Sequence, residues 1–171
     1  MPCLSPIRRL VAQVFICGTI VAGCALASNN TPADWRDWDL GAFRMRAPAG
    51  LVHVAGGVDS QAGKLTTDGL RIEYDFGLYS DPLARRDDML HYRSRDVSVD
   101  TRAARTVQFQ LTGDTAAAMR SCSGVHVPAV RRSSMGALSL TVLACAANAD
   151  GLKDVPAIVR SIRFQGSARG S

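Results

Sequence analysis

The stretch "GLRIEYDFGLY" (69–79) alternates without a break: Leu70, Ile72, Tyr74 and Phe76 fall on one side, Arg71, Glu73 and Asp75 on the other. A period of two marks a half-buried strand, because successive side chains leave the pleated chain on opposite faces. Working outward, "FRMRAP" (43–48) repeats the pattern, with Phe43, Met45 and Ala47 alternating with Arg44 and Arg46 until Pro48 ends the run. "VSVDTRAARTVQFQL" (97–111) reads as two strands around a turn near Asp100, with Val107, Phe109 and Leu111 inward. "GVHVPAV" (124–130) and "ALSLTVLACAA" (137–147) form a further pair. Only "KDVPAIVRSIRF" (153–164) changes period: Val155, Ile158, Val159 and Ile162 recur at helical spacing. Asp154 can cap that helix, and Pro156 in its first turn removes no hydrogen bond. The expected fold class is therefore α+β: an antiparallel sheet of about six strands with a C-terminal helix packed on one face.

The amino-terminal segment has a different character. Arg8 and Arg9 precede the apolar run "LVAQVFICGTIVAG" (10–23), which is too short to span a membrane comfortably and has the plan of an export signal. Small residues follow. Cleavage after Ala27, at "ALA", is one reading. The other is that "VAGC", Val21 to Cys24, resembles the lipobox of bacterial lipoproteins, which implies acylation of Cys24 and cleavage before it; lipidation is the preferred reading. The expected organisation is a signal peptide at 1–23, a flexible tether at 24–34, a single α+β domain at 35–165 and a disordered tail at 166–171.

Of 171 residues, the 23 of the signal leave 148, one domain's worth of chain able to bury a core. The net charge of +5 includes Arg8 and Arg9, so the remainder is near +3 and argues against a nucleic-acid partner. Of five cysteines, Cys3 and Cys17 leave with the signal and Cys24 takes lipid. Cys122 and Cys145 are left as an even pair, which in an oxidising periplasm reads as one disulfide.

A second resemblance lies in "GGVDSQAGKLTTDGLRIEYDFGLYS" (56–80). It is similar to a pattern in small exported bacterial proteins of uncharacterised function, a Gly-x-Asp-Ser-x-x-Gly turn leading into a strand with Asp-aromatic-Gly. The match includes Gly57, Asp59, Ser60, Gly63, Ile72, Asp75, Phe76 and Gly77. The strand order and closing "IVRSIRF" also resemble the α/β/α sandwich of the Mog1 and PsbP type. These likenesses imply a binding or accessory role and supply no catalytic set.

No convincing catalytic constellation stands out. His53, His91 and His126 lack metal-ligand spacing, and Asp59 and Asp68 lack that of a calcium loop, so neither metal nor cofactor is expected; the two aspartates read as turn residues. "SCSGVH" brings Ser121, Ser123 and His126 close in sequence without a nucleophile elbow. Arg71, Glu73 and Asp75, with Asp59 and Ser60 upstream, form the candidate binding set. The row of three is a plain solvent face in the preferred reading, and the floor of a small polar cleft if the "GVDS" turn folds over it.

The expectation is a lipoprotein of the cell envelope, at the outer membrane and facing the periplasm. It is held to the membrane by its lipid and binds a periplasmic protein or small ligand without chemistry. The alternatives are a soluble periplasmic or secreted protein cut after Ala27, and a small periplasmic hydrolase using Ser123 and His126 or the Glu73–Asp75 face.

Overall fold

The structure is a computed structural model that describes residues 34–57, 60–113 and 118–166. The segment expected to be a signal peptide, Cys24, the expected tether up to residue 33, Asp59 and residues 167–171 lie outside the described residues. Ten strands are described: β1 (Trp35–Asp39), β2 (Phe43–Pro48), β3 (Val52–Gly56), β4 (Gln61–Thr66), β5 (Leu70–Gly77), β6 (Met89–Val99), β7 (Arg102–Leu111), β8 (Ser121–Ser133), β9 (Gly136–Ala146) and β10 (Arg163–Phe164). One α-helix, α1 (Val155–Ser161), follows a 3-10 turn at Asp150–Leu152. Every paired strand is antiparallel. Seven strands form one sheet in the order β3-β4-β5-β9-β8-β7-β6, and three form a second in the order β1-β2-β10.

The alternation in "LRIEYDFG" builds the centre of the large sheet. Ile72, Tyr74 and Phe76 pair across β9 with Ala144, Val142 and Leu140, and those pair with Ser123, Val125 and Val127 of β8. This inner face packs against the small sheet and α1 in one core with Trp35, Trp38, Phe43, Met45, Val155, Ile158, Val159 and Ile162. Phe43 meets Tyr74 edge-on at 5.6 Å between ring centroids, tying the two sheets together. The Ser161 hydroxyl accepts the Arg46 N–H at 2.8 Å and locks α1 to β2. Tyr74 extends past its own strand to hydrogen-bond His53 Nε2 at 2.9 Å on the edge strand β3. It can do so because Gly63 lies beneath it: a Cβ there would stand 2.6 Å from the Tyr74 hydroxyl.

The outer face carries a second apolar cluster. Val107 and Phe109 are buried as expected, but on the side opposite Ile72 and Tyr74, together with Leu83, Met89, Cys122 and Cys145. Leu111, expected to be inward beside them, is only partly buried against this cluster. The connection 78–88 covers it, held down by the Tyr92 hydroxyl donating to the Leu83 carbonyl at 2.9 Å. Cys122 and Cys145 face each other directly in the β8–β9 register and are joined as a disulfide, with Cα atoms 4.2 Å apart.

The sheet is richer in strands than expected, for identifiable reasons. Strand β1 buries Trp35 and Trp38 three residues apart, so it shows no period of two. All five residues of β3 are exposed, and β4 buries only Leu65 among turn-forming residues. The "RF" expected to close the helix instead forms β10 against Arg44 and Phe43 of β2. Asp154 stands at the helix N-cap, but its side chain makes no capping hydrogen bond; its carbonyl accepts from Ala157 and Ile158. An α/β/α sandwich implies a second helical layer, whereas a loop covers the outer cluster here.

Candidate functional site

The strand register lays polar residues across the outer face in rows. Asp75 of β5 pairs with Thr141 of β9, Thr141 with His126 of β8, His126 with Arg105 of β7, and Arg105 with Asp96 of β6. One row over, Lys64 pairs with Glu73 and Glu73 with Leu143. Where β3, β4, β5 and β9 meet the connection after β5, these side chains line an open cleft of about 590 Å³. Its polar lining includes Ser60, Lys64, Glu73, Asp75, Asp81 and Thr141, and Val54, Leu83 and Leu143 supply apolar wall. That volume lies within the range of small-ligand sites, about 300–1,000 Å³.

The connection after β5 is fastened into place by side chains. The buried Ser80 hydroxyl shares its one hydrogen between the carbonyls of Asp75 and Ser139, each at 2.9 Å, and accepts the Gly77 N–H at 3.1 Å. Asp81 accepts the Leu83 N–H at 2.7 Å through one carboxylate oxygen and pairs with Arg86 at 3.0 Å through the other. This clamp holds Leu83 at a φ of 54°, a left-handed conformation that a branched residue keeps only under such constraint. Thr141 donates to the Asp81 carbonyl at 2.5 Å. With its hydrogen committed there, it accepts from His126 across 3.0 Å, so Nδ1 carries the imidazole proton and Nε2 keeps its lone pair. Burial pushes the His126 pKa down; Asp81 opposes that shift and Arg105 adds to it.

The expected binding residues divide. Ser60, Glu73 and Asp75 share the cleft lining, and the "GVDS" turn expected to fold over that row lies partly outside the described residues. Arg71 stands on the same face but outside the cleft lining, its Nε 3.3 Å from a Glu73 carboxylate oxygen. Asp59 lies outside the described residues. A methyl on Gly77 would stand 2.8 Å from Ser60 Cβ and 3.7 Å from Asp75 Oδ1, so Ser60 and Asp75 meet at one corner of the cleft. There Asp75 Oδ1 is buried and, among the described residues, has no hydrogen-bond partner.

Sequence reading missed Lys64, Asp81 and Thr141. Lys64 sits in β4, which was read as turn, and Thr141 is visible only through its register partner Asp75. Asp68 lies in a turn, as its sequence context suggests, and there the Thr67 hydroxyl accepts the N–H of Gly69 and Leu70, at 3.4 and 3.2 Å.

The alternative pairing of Ser123 with His126 is overturned by the pleat. Ser123 and Val125 face the inner side of β8, and His126 pairs on the outer side with Thr141 and Arg105, so the sheet separates hydroxyl from imidazole. Among the described residues, no three His, Cys, Asp or Glu side chains gather to hold a metal ion, and no helix is long and apolar enough to cross a membrane. No protein-family model matches the chain, and comparison with curated proteins gives no match.

Proposed function

We propose that this chain is a bacterial envelope lipoprotein whose α+β domain binds a small ligand, without chemical conversion, in the cleft on the outer face of its large sheet. The observation that carries the reading is Asp75 Oδ1, buried at the corner of the cleft beside Ser60 and, among the described residues, lacking a partner. A buried acceptor left unpaired costs about 1–3 kcal/mol, a cost that a ligand bringing an N–H or O–H removes. Three carboxylates, Glu73, Asp75 and Asp81, line the cleft against one ammonium, Lys64. With Glu73 paired to Arg71 and Asp81 to Arg86, the charges of Asp75 and Lys64 remain, and the balance favours a neutral, polyhydroxylated molecule over a strongly charged one. The anchor at Cys24, the periplasm-facing outer-membrane location and the likeness to small exported bacterial proteins and to the Mog1 and PsbP type belong to the same proposal. They rest on the sequence patterns from which they were read.

The test is to purify the full, processed chain from its own envelope and weigh it intact under non-denaturing conditions. The expected result is a small adduct that the Asp75→Ala variant loses while keeping its melting temperature. An adduct retained by Asp75→Ala, or native protein that carries none, overturns the cleft as the ligand site.

A further inference from the structure

The inner face of the large sheet is not covered to its edge. Helix α1 has seven residues and seats Val155, Ile158 and Val159 in the core, so its reach ends before β6 and the outer part of β7. The exposure along β6 records this: of the residues that face inward, Val99 is buried, Val97 is half-buried, and Arg95 and Arg93 are exposed. Between α1 and these strands lies a groove of about 600 Å³.

The lining of the groove is unusual in its charge. Arg93 and Arg95 border it from the sheet and Arg160 from the helix, and among the described residues no carboxylate lines it. None of the three guanidinium groups forms an ion pair with a described residue; Asp96, between Arg95 and Val97 in sequence, points to the other face and pairs with Arg105 at 3.1 Å. The half-buried Val97 and the exposed Pro156 supply apolar surface between the arginines, beside Thr106, Gln108 and Ser123, while Val155 and Val159 close the floor from the core.

We infer that this groove binds a free single-chain amphiphile with an anionic head. The head sits among Arg93, Arg95 and Arg160, and the chain lies along Val97 and Pro156. Guanidinium groups suit phosphate and carboxylate because their donors match two oxygens at once. A bare anion would leave the apolar floor wet, and a neutral chain would leave three charges unmet. A flat bilayer presents its headgroups in a plane and cannot enter a groove between a helix and a sheet. The site lies on the opposite face of the sheet from the Asp75 cleft and does not depend on it.

The test is calorimetric titration of the soluble Cys24→Ser chain, which has no acyl chains of its own to insert, with four probes: dodecyl phosphate below its micelle concentration, inorganic phosphate, dodecyl maltoside, and vesicles of phosphatidylglycerol. Dodecyl phosphate is expected to bind one to one and tighter than either phosphate or maltoside by about tenfold or more, the worth of one charge-assisted hydrogen bond. Arg93→Glu with Arg95→Glu should abolish that preference with the melting temperature unchanged, since both side chains are exposed. Arg160→Gln should weaken it from the helix side, and Asp75→Ala should leave it intact. Phosphate binding as tightly as the amphiphile, maltoside doing so, binding to vesicles alone, or arginine variants that bind like the parent protein would each overturn the inference.

Discussion

Asp100 accepts the backbone N–H of Phe164 at 2.9 Å, joining the turn of the β6–β7 hairpin to β10, 64 residues later. Its other carboxylate oxygen lies 3.9 Å from Arg163 Nε. Asp100 and Thr101 both have positive φ, 46° and 68°, as a tight two-residue hairpin turn requires. One side chain therefore serves the turn and a distant strand. Asp100→Ala should lower the unfolding free energy by about 1–3 kcal/mol, because it leaves the Phe164 amide unpaired and puts a Cβ-bearing residue without local hydrogen bonds in the left-handed region. Asp100→Gly relieves the second effect only, so it should be the milder of the two in urea titration. Equal losses would show that the bond to Phe164, and not the left-handed turn conformation, sets the stability.

The disulfide gives a second prediction. Cys122 and Cys145 are 23 residues apart, and closing a loop of that size stabilises a fold by about 3 kcal/mol in the chain-entropy model. Replacing both by alanine should lower stability by about 2–5 kcal/mol, since the change also thins the outer cluster around Val107 and Phe109. Peptide mapping without reductant should recover the two cysteines joined. A melting curve that the double substitution leaves unchanged would show that the bridge contributes nothing.

Protonation of His126 gives a third. Burial holds its folded pKa below the unfolded value of about 6.5, so between those two values the unfolded chain binds more protons. The stabilisation is complete above about pH 6.5 and is lost as pH falls toward the folded value. The groups around the ring are Thr141, Asp81 and Arg105, of which only Asp81 favours the charged form. Urea midpoints should drop between about pH 7.5 and pH 5 in the parent protein, and drop less in His126→Gln. The same fall in both would assign the pH dependence to the carboxylates instead.

How much of this was legible in the sequence depended on what each residue faces. Alternation exposed β2, β5, β7 and β9 because one face of each meets a core. It also placed Val107 and Phe109 as buried, yet it could not say under which face, since a sheet with apolar clusters on both sides looks locally the same as one with a single core. Strand β3 was invisible because none of its side chains is buried, and β4 because Gly63 and Lys64 are there for Tyr74 and for the cleft rather than for packing. The stripe Val155, Ile158, Val159 marked the helix, but Arg163 and Phe164 left it for β10 because β2 still had a free edge. The candidate cleft was half legible: Glu73 and Asp75 lie on one strand, while Asp81 and Thr141 join them only through pairings distant in sequence.

The proposed anchor makes the last prediction, at Cys24. Two processing sites overlap there: "VAGC" ends at Cys24 and "ALA" at Ala27. Acylation requires the Cys24 thiol, so the processed parent protein should begin at that residue, take up labelled fatty acid and sediment with membranes. Two or more chains are needed for stable anchoring, since each buried methylene contributes about 0.8 kcal/mol and one chain alone holds only marginally. Ala25 follows the cysteine where an aspartate would be the usual retention signal in the inner membrane, so the lipidated chain should fractionate with the outer membrane. Cys24→Ser removes the acceptor but leaves "ALA" intact. The variant should therefore be cut before Ser28 and be recovered as a soluble periplasmic protein, with Cys122 and Cys145 still joined and the same unfolding midpoint. N-terminal mass measurement of both forms decides the matter, because the two cuts differ by four residues, Cys24 to Ala27, plus the mass of the lipid. A parent protein that already begins at Ser28 and stays out of the membrane fraction would end the lipoprotein reading, and the sheet, cleft and disulfide would stand without it.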